Sequence, residues 1–154
     1  MPKDVRKDIV TWAKWAVANK SHFHYREIRP MPLTLHFPIV TDCSGFATWC
    51  YRQAGAHDPN KLAYNGTGYT GTLLAAGKKV TMAQAKPGDL IVYGPGTGWH
   101  VAVIIEPGPN ALTISMGQEG DPSYVHVNED GRHPQTVLTY DTALAWPATP
   151  LPGK

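Results

Sequence analysis

The feature that most constrains the fold is a change in residue pattern at Gly77. Before it, apolar residues recur at three- and four-residue steps over residues 2–19 and 43–54, and a shorter helix is predicted over 70–76. After it come short β-rich runs bounded by Gly, Pro and Asn: residues 89–93, 100–106, 112–115, 124–127 and 136–140. Helices followed by strands predict an α+β fold, in which the helices pack on one face of a C-terminal antiparallel sheet of about five strands.

The first predicted helix carries its apolar residues on one face, which predicts that this face is buried: Val5, Ile9, Trp12, Ala13 and Ala16. The stretch 21–40 is predicted to be irregular because prolines at positions 30, 32 and 38 interrupt any regular element.

The length of the chain favours one domain over residues 1–154, with residues 147–154 as a loose Pro-rich tail, and we expect a monomer. The formal net charge of +2 is too small to suggest a nucleic-acid partner. No apolar stretch is long enough to span a membrane. The N-terminus lacks the apolar core of a Sec-type signal peptide, so we expect synthesis in the cytoplasm.

The second predicted helix has a cysteine, Cys43, at its first position, with Thr41 or Asp42 as N-cap and Gly55 as C-terminal stop. A thiol at a helix N-terminus feels unpaired N–H groups and the helix dipole, which predicts a lowered pKa. The alternative is a small core residue. Cys50 lies seven residues further along the same helix, about 10 Å away, so the two thiols are predicted to be free.

His100 stands at the start of an apolar strand pattern, directly after the Gly-rich turn 94–99. That position suits a base that reaches a cleft, although a structural histidine is the alternative. A metal site at His22, His24 and either His36 or His133 is disfavoured because no carboxylate or Cys stands at ligand spacing. We therefore expect neither a metal nor a cofactor.

Three segments resemble the NlpC-type cell-wall cysteine peptidases, which are papain-like enzymes that cut peptidoglycan stem peptides: TDCSGFATWCYRQAG, KPGDLIVYG and GWHVAVIIEPG. Within this family the chain resembles the peptidase domain in endolysins of phages that infect actinobacteria, where HYREIRPMP and YNGTGYTGTLL also have counterparts. The resemblance covers residues 5–140 and implies the papain-like NlpC fold.

The resemblance implies a role for each matching residue. Cys43 would be the nucleophile and His100 its base, and backbone N–H groups at the helix start would form the oxyanion hole. Asp42 and Ser44 would line the site for the acyl-side residue, and Tyr25 would lean over the cysteine. Aromatic residues that look exposed are predicted to form cleft walls: Tyr64, Tyr69 and Trp99.

The third catalytic position departs from the family pattern. The family offers a polar residue, most often histidine, on the strand after the base strand. Here the segment reads Ser115-Met116-Gly117-Gln118-Glu119, with Met116 in the histidine position. A thioether cannot accept a strong hydrogen bond from imidazole. Either Gln118 orients the base, or the site works as a Cys–His dyad.

The resulting hypothesis is a peptidoglycan endopeptidase that cuts stem peptides at the D-γ-glutamyl–diaminopimelate bond through a thioester. The resemblance implies action on the wall after holin-type release or as part of a phage particle. One alternative is a wall-binding or virion-structural module with a weakened site. The other is a cysteine amidase or acyltransferase on the same scaffold.

Overall fold

The computed structural model describes residues 2–117 and 121–152. Its helices are α1 (Arg6–Ala18), α2 (Cys43–Ala54) and α3 (Thr70–Ala76), with short 3-10 turns at Lys20–His22, Met82–Gln84 and Val127–Glu129. Its strands are β1 (Phe23–Tyr25), β2 (Ile39–Thr41), β3 (Lys78–Val80), β4 (Leu90–Tyr93), β5 (His100–Glu106), β6 (Leu112–Met116), β7 (Pro122–His126) and β8 (Gln135–Thr139). Within the described ranges, no helix is long and apolar enough to cross a membrane.

The α+β architecture is confirmed, but the main sheet has six strands and the prediction of about five is wrong. The strand order is β3-β8-β4-β5-β6-β7, with every neighbouring pair antiparallel. The missed strand, β3, is a three-residue edge strand whose two lysines are exposed, so it shows no apolar alternation. The last strand, β8, returns to lie between β3 and β4.

The prediction that residues 21–40 are irregular is wrong at both ends of the stretch. β1 and β2 pair in parallel, with Phe23 opposite Ile39 and Tyr25 opposite Thr41. Each strand has three residues, too few for a period-two pattern to be recognised in the sequence. This small sheet places Tyr25 next to the segment that leads into α2.

Helices α1 and α2 pack on one face of the main sheet, over the central strands β5 and β6. The five apolar residues predicted for the buried face of the first helix are all buried. Aromatic rings fill the space between the helices, and Trp12 meets Trp49 edge to face at 5.7 Å. Nearly every residue of α2 is buried, because the helix lies between α1 and the sheet.

Strand alternation divides the residues of β5 between the two faces of the sheet. Val101 and Val103 belong to the core on the helix side, whereas Ala102 and Ile104 belong to a second, smaller cluster on the opposite side. By the same alternation, the side chain of His100 lies on the second face of the sheet, away from the body of α2.

Part of the C-terminal segment 147–154, which is predicted from the sequence to be a loose tail, contacts the end of α2. The Thr149 backbone N–H donates to the Gln53 carbonyl at 2.8 Å, and the Thr149 hydroxyl donates to the Gln53 side chain at 2.6 Å. The Arg52 guanidinium donates to the Pro147 carbonyl at 2.9 Å. Residues 147–149 therefore lie against the helix.

A buried ion pair joins α1 to the sheet. Arg6 Nη1 donates to Asp89 Oδ1 at 2.7 Å, and the side chain of Asp89 is fully buried. The Thr139 hydroxyl and the Lys86 backbone N–H also donate to this carboxylate, at 2.7 and 2.9 Å. One carboxylate thus connects α1, the turn before β4, and β8.

Replacing Arg6 by Met should lower the free energy of unfolding by about 3–5 kcal/mol, because it leaves a buried carboxylate without its countercharge. Urea unfolding measures this loss. The matched control is Lys3→Met, which removes the exposed pair with Asp8 at 3.7 Å and should cost less than about 1 kcal/mol. Equal losses for the two variants would contradict a structural role for the Arg6–Asp89 pair.

Candidate active site

Helix α2 begins at Cys43 because the preceding residue caps it. Asp42 Oδ1 accepts a hydrogen bond from the Gly45 N–H at 2.7 Å, and Gly55 ends the helix in the left-handed conformation, with φ of 80°. Both helix ends are confirmed. Gly45 is needed at this point, since a Cβ there would lie 2.9 Å from Asp42 Oδ1 and 3.0 Å from Met31 Cγ.

The Cys43 sulfur lies at the start of β5. The backbone N–H groups of Val101, Ser44 and Cys43 itself are close enough to lower the pKa of the thiol. Val101 directly follows His100, the first residue of β5, so the fold brings the predicted nucleophile and the predicted base to one place. Both side chains are largely buried, with Cys43 8% and His100 6% exposed.

The prediction of a lowered pKa for Cys43 is wrong. Burial raises the pKa of the thiol to about 11, and the Asp42 carboxylate raises it further, against the three backbone N–H groups that lower it. The sequence indicated the helix terminus correctly, but it could not indicate how deeply the sulfur is buried. At neutral pH the thiol of the free protein is therefore protonated, and attack needs a base.

Arg29 holds the residues on either side of Cys43, and sequence reasoning missed it. Its guanidinium donates to Asp42 Oδ2 at 2.8 Å and to Ser44 Oγ at 3.1 Å. It also donates to the Gly68 and Ile28 carbonyls, at 2.9 and 2.7 Å. Asp42 and Ser44, predicted to bind the acyl-side residue, are both buried and engaged by this arginine. Their role in substrate binding stays a prediction.

His100 packs against an aromatic ring on the neighbouring strand. Tyr93 is its partner in the β4–β5 register, and the two rings stack with centroids 5.9 Å apart and planes at 23°. The strand is entered through Gly98, whose φ of +84° and close approach to Val92 exclude a side chain. The imidazole is thus held on the face of the sheet opposite the helices.

A cleft of about 440 Å³ adjoins His100 on that face. The residues that line it come from β1, β5, β6, β7 and the segments next to these strands: Tyr25, Glu27, Trp99, His100, Ser115, Gly117, Val125, Glu129, Asp130, Gly131 and Arg132. Two of the predicted substrate-binding residues, Tyr25 and Trp99, therefore lie at the cleft, Trp99 with 63% of its surface exposed. The Tyr25 hydroxyl donates to Glu27 at 3.2 Å, and its pKa is raised by burial and by the nearby Cys43.

An ion pair that the sequence did not indicate lines the same cleft. Arg132 donates to Asp130 in a bidentate arrangement, Nε to Oδ1 at 3.0 Å and Nη2 to Oδ2 at 2.7 Å. The guanidinium carbon lies 5.8 Å from the centroid of the Tyr93 ring. The sequence of residues 129–132 does not predict this pair at the cleft, because only the folded chain places the segment after β7 beside His100.

The strand geometry separates Met116 from His100. The β5–β6 register pairs Ile104 with Thr113, so odd-numbered residues of β6 share the His100 face. Ser115 accordingly lines the cleft, whereas Met116 is fully buried in the core on the helix side. Gln118, the predicted orienting residue, lies outside the described residues. Its role stays a prediction.

No metal site is formed by the described parts of the chain, where no group of three or more His, Cys, Asp or Glu side chains could hold an ion. One of the histidines considered for such a site, His22, stacks instead on Phe37 with ring centroids 4.1 Å apart.

Comparison with known protein families gives a match to the NlpC/P60 family over residues 23–141, a span that includes Cys43, His100 and the whole cleft. The chain belongs to the NlpC/P60 family.

Curated relatives include peptidoglycan endopeptidase RipB of Mycobacterium tuberculosis, which is 32% identical over 93 residues, covering 60% of this chain and 34% of RipB. Protein P54 of Enterococcus faecium is 37% identical over 97 residues, covering 62% of this chain and 15% of P54. The chain thus matches a minor part of the length of each of these relatives.

Solved structures with the same fold include the NlpC/p60 domain of the peptidoglycan hydrolase SagA, with a TM-score of 0.58 and 23% identity over 88% of this chain and 98% of that domain. RipB of Mycobacterium tuberculosis gives a TM-score of 0.57 and 22% identity over 90% of this chain and 68% of RipB. RipD of the same organism, described as a non-catalytic, peptidoglycan-binding NlpC/p60 domain protein, gives 0.55 and 18% identity, covering 89% of this chain and 98% of RipD. The fold therefore accommodates both hydrolases and a binding protein.

Alkylation of Cys43 by iodoacetamide should be slow at about pH 6 and should accelerate about tenfold per pH unit toward the pKa of about 11, since the thiolate is the reacting form. Peptide mapping after timed quenching measures the rate. The Cys43→Ala variant is the control, because it leaves only Cys50, which is fully buried and should label far more slowly. A fast, pH-independent reaction from about pH 6 upward would contradict the raised pKa.

Asp42→Asn should lower the pKa of Cys43 by about 0.5–1 unit, because it removes the neighbouring negative charge and keeps an oxygen that can cap α2. The ultraviolet absorbance of the thiolate, followed against pH, measures the shift. Asp141→Asn is the matched control, since that carboxylate is exposed and pairs with His57. An unchanged or higher pKa in Asp42→Asn would show that Asp42 does not act on the thiol.

Proposed function

We propose that the chain is a cysteine endopeptidase that hydrolyses stem peptides of bacterial peptidoglycan. The observation that carries the proposal is the meeting of the Cys43 sulfur, at the N-terminus of α2, with the start of β5 where His100 stands. Membership of the NlpC/P60 family and the similarity to the endopeptidase RipB support the choice of substrate.

In the proposed reaction, the Cys43 sulfur adds to the carbonyl carbon of the scissile bond while the thiol proton passes to a ring nitrogen of His100. The imidazolium then gives this proton to the leaving amine, and a thioester remains. Water, activated by the neutral imidazole, attacks the thioester and releases the acid and the free thiol. The raised pKa of Cys43 makes the base essential, because few molecules hold a ready thiolate at neutral pH.

The first turn of α2 supplies the oxyanion hole in this scheme. The Gly45 N–H is used by the Asp42 cap, and the backbone N–H groups of Cys43 and Ser44 lie at the sulfur. These donors are fixed by the helix before the substrate binds, so they need no reorganisation when charge develops on the carbonyl oxygen.

The bond proposed for cleavage is that between D-γ-glutamate and diaminopimelate. The cleft beside His100 carries the carboxylates of Glu27 and Glu129, which suit the side-chain ammonium group of a diamino acid. The finer resemblance to the peptidase domain of actinobacteriophage endolysins, with release by a holin or action within a phage particle, stays a prediction.

A second candidate function is wall binding without cleavage. The similarity in fold to RipD and the raised pKa of the Cys43 thiol favour this alternative. A cysteine amidase or acyltransferase on the same scaffold would use the same two side chains and differ in the bond it acts on.

Cys43→Ala and His100→Ala should each reduce the release of soluble fragments from purified actinobacterial peptidoglycan by about a hundredfold or more, because each removes a reacting group. Turbidity loss and muropeptide chromatography measure the release. Cys50→Ala is the matched control, and it should keep catalysis if the protein stays folded. Full activity in either site variant would refute the proposal, and an inactive wild type that still sediments with the wall would favour the binding module.

Mass spectrometry of the released muropeptides should show new N-terminal diaminopimelate and new C-terminal D-glutamate, since the proposed cut lies between them. Fragments ending at lactate or at D-alanine would instead indicate an amidase or a different peptide bond.

A further inference from the structure

The side chain of Asp130 is little exposed at the cleft, although the residue is half-buried and lies among exposed neighbours. Its side chain is 7% exposed, whereas the side chain of its neighbour Glu129 is 63% exposed. It accepts the two bidentate hydrogen bonds from the Arg132 guanidinium and a third, at 2.9 Å, from the Arg132 backbone N–H. Because the Asp130 side chain is little exposed, solvent screens its charge less than it screens the charge of Glu129, although the paired Arg132 side chain is 41% exposed.

A continuous stack leads from this ion pair to the predicted base. Arg132 lies over the Tyr93 ring, and the Tyr93 ring stacks on the His100 imidazole. Asp130, Arg132 and His100 also line the same cleft. The ion pair therefore holds the ring on which His100 rests and faces the same space as the imidazole.

The charges of Asp130 and His100 are coupled. Burial alone would raise the pKa of Asp130, but hydrogen bonds from Arg132, the charge of Arg132 and the charge of protonated His100 hold it below its ordinary value. Coupling is reciprocal, so the carboxylate stabilises the protonated form of His100 in return.

Other charged or titratable groups act at the same place and must be separated in any test. Those of the described residues at the cleft or the sulfur come from five parts of the chain: Tyr25 and Glu27 from β1 and the residues after it, Asp42 from the residue before α2, Cys43 from α2, Tyr93 from β4, and Glu129, Asp130 and Arg132 from the segment after β7.

Resting on the proposed function, we propose that Asp130 is a positioning residue for His100. Its carboxylate, paired with the Arg132 guanidinium that lies over the Tyr93 ring, stabilises the imidazolium that forms when His100 takes the Cys43 proton. The thiol S–H bond breaks and the imidazole N–H bond forms as sulfur adds to the carbonyl carbon. The same proton later leaves with the amine, so Asp130 neither gains nor loses one. The sequence analysis looked for a residue that supports His100 at positions 116 and 118, whereas this proposal assigns the role to a residue after β7.

The test is an NMR titration of His100 in the full chain carrying Cys43→Ala, which removes coupling to the thiol. A His100→Gln spectrum identifies the His100 signal among the seven histidines. Asp130→Asn should lower the pKa of His100 by about 0.5–1 unit, and Arg132→Gln should raise it by a similar amount. Asp130→Glu should restore most of the wild-type value. Glu129→Gln, an exposed neighbour, is the matched control and should shift it by less than about 0.2 unit.

Opposite shifts are the decisive signature, because general damage to the loop would move both variants in the same direction. A shift for Asp130→Asn no larger than that for Glu129→Gln, or shifts of the same sign for Asp130→Asn and Arg132→Gln, would overturn the proposal. With Cys43 present, Asp130→Asn should lower kcat about threefold to tenfold and leave KM nearly unchanged. The titration does not depend on catalysis. If the wild type does not cleave peptidoglycan, that result refutes the proposed function and leaves the test of Asp130 intact.

Discussion

Helix α2 begins at Cys43 because the Asp42 carboxylate accepts the Gly45 N–H, and its first turn lies against the first residues of β5. This contact brings the Cys43 sulfur to the first residues of β5, the strand that begins with His100. The helix is held there from three sides, by α1, by the sheet and by the bonds of Arg29 to Asp42 and Ser44. The geometry of the site is therefore a property of the packed core, which favours precise placement of reacting groups.

Burial in that contact determines the chemistry that is available. The same packing that fixes Cys43 removes it from water and raises the pKa of its thiol, so the helix terminus does not by itself provide a nucleophile. In the proposed reaction, His100 takes the thiol proton during attack. Charges that surround the base then matter as much as those near the sulfur, and the Asp130–Arg132 pair lies on the side of the cleft where the imidazole is.

The sequence predicted those parts of the fold that depend on local pattern. The limits of α2 and α3, the buried face of α1 and the identity of β4 and β5 followed from apolar spacing and from capping residues such as Asp42 and Gly55. Three-residue strands were missed, because β1, β2 and β3 are too short to show a period. The roles of Arg29, Asp130 and Arg132 depend on tertiary contacts between distant segments, and neither composition nor spacing carries that information. Met116 illustrates the same limit, since only the β5–β6 register shows that it faces the core.

The most direct test of the account is detection of the covalent intermediate. A stem peptide in which the scissile amide is replaced by an activated ester makes hydrolysis of the thioester the slow step, so acid quenching during turnover should trap the acyl group on the protein. Intact mass followed by peptide mapping should place one acyl group on Cys43 in the wild type and none in Cys43→Ala. Product formation with no acyl group on Cys43, or with the acyl group on another residue, would contradict the account.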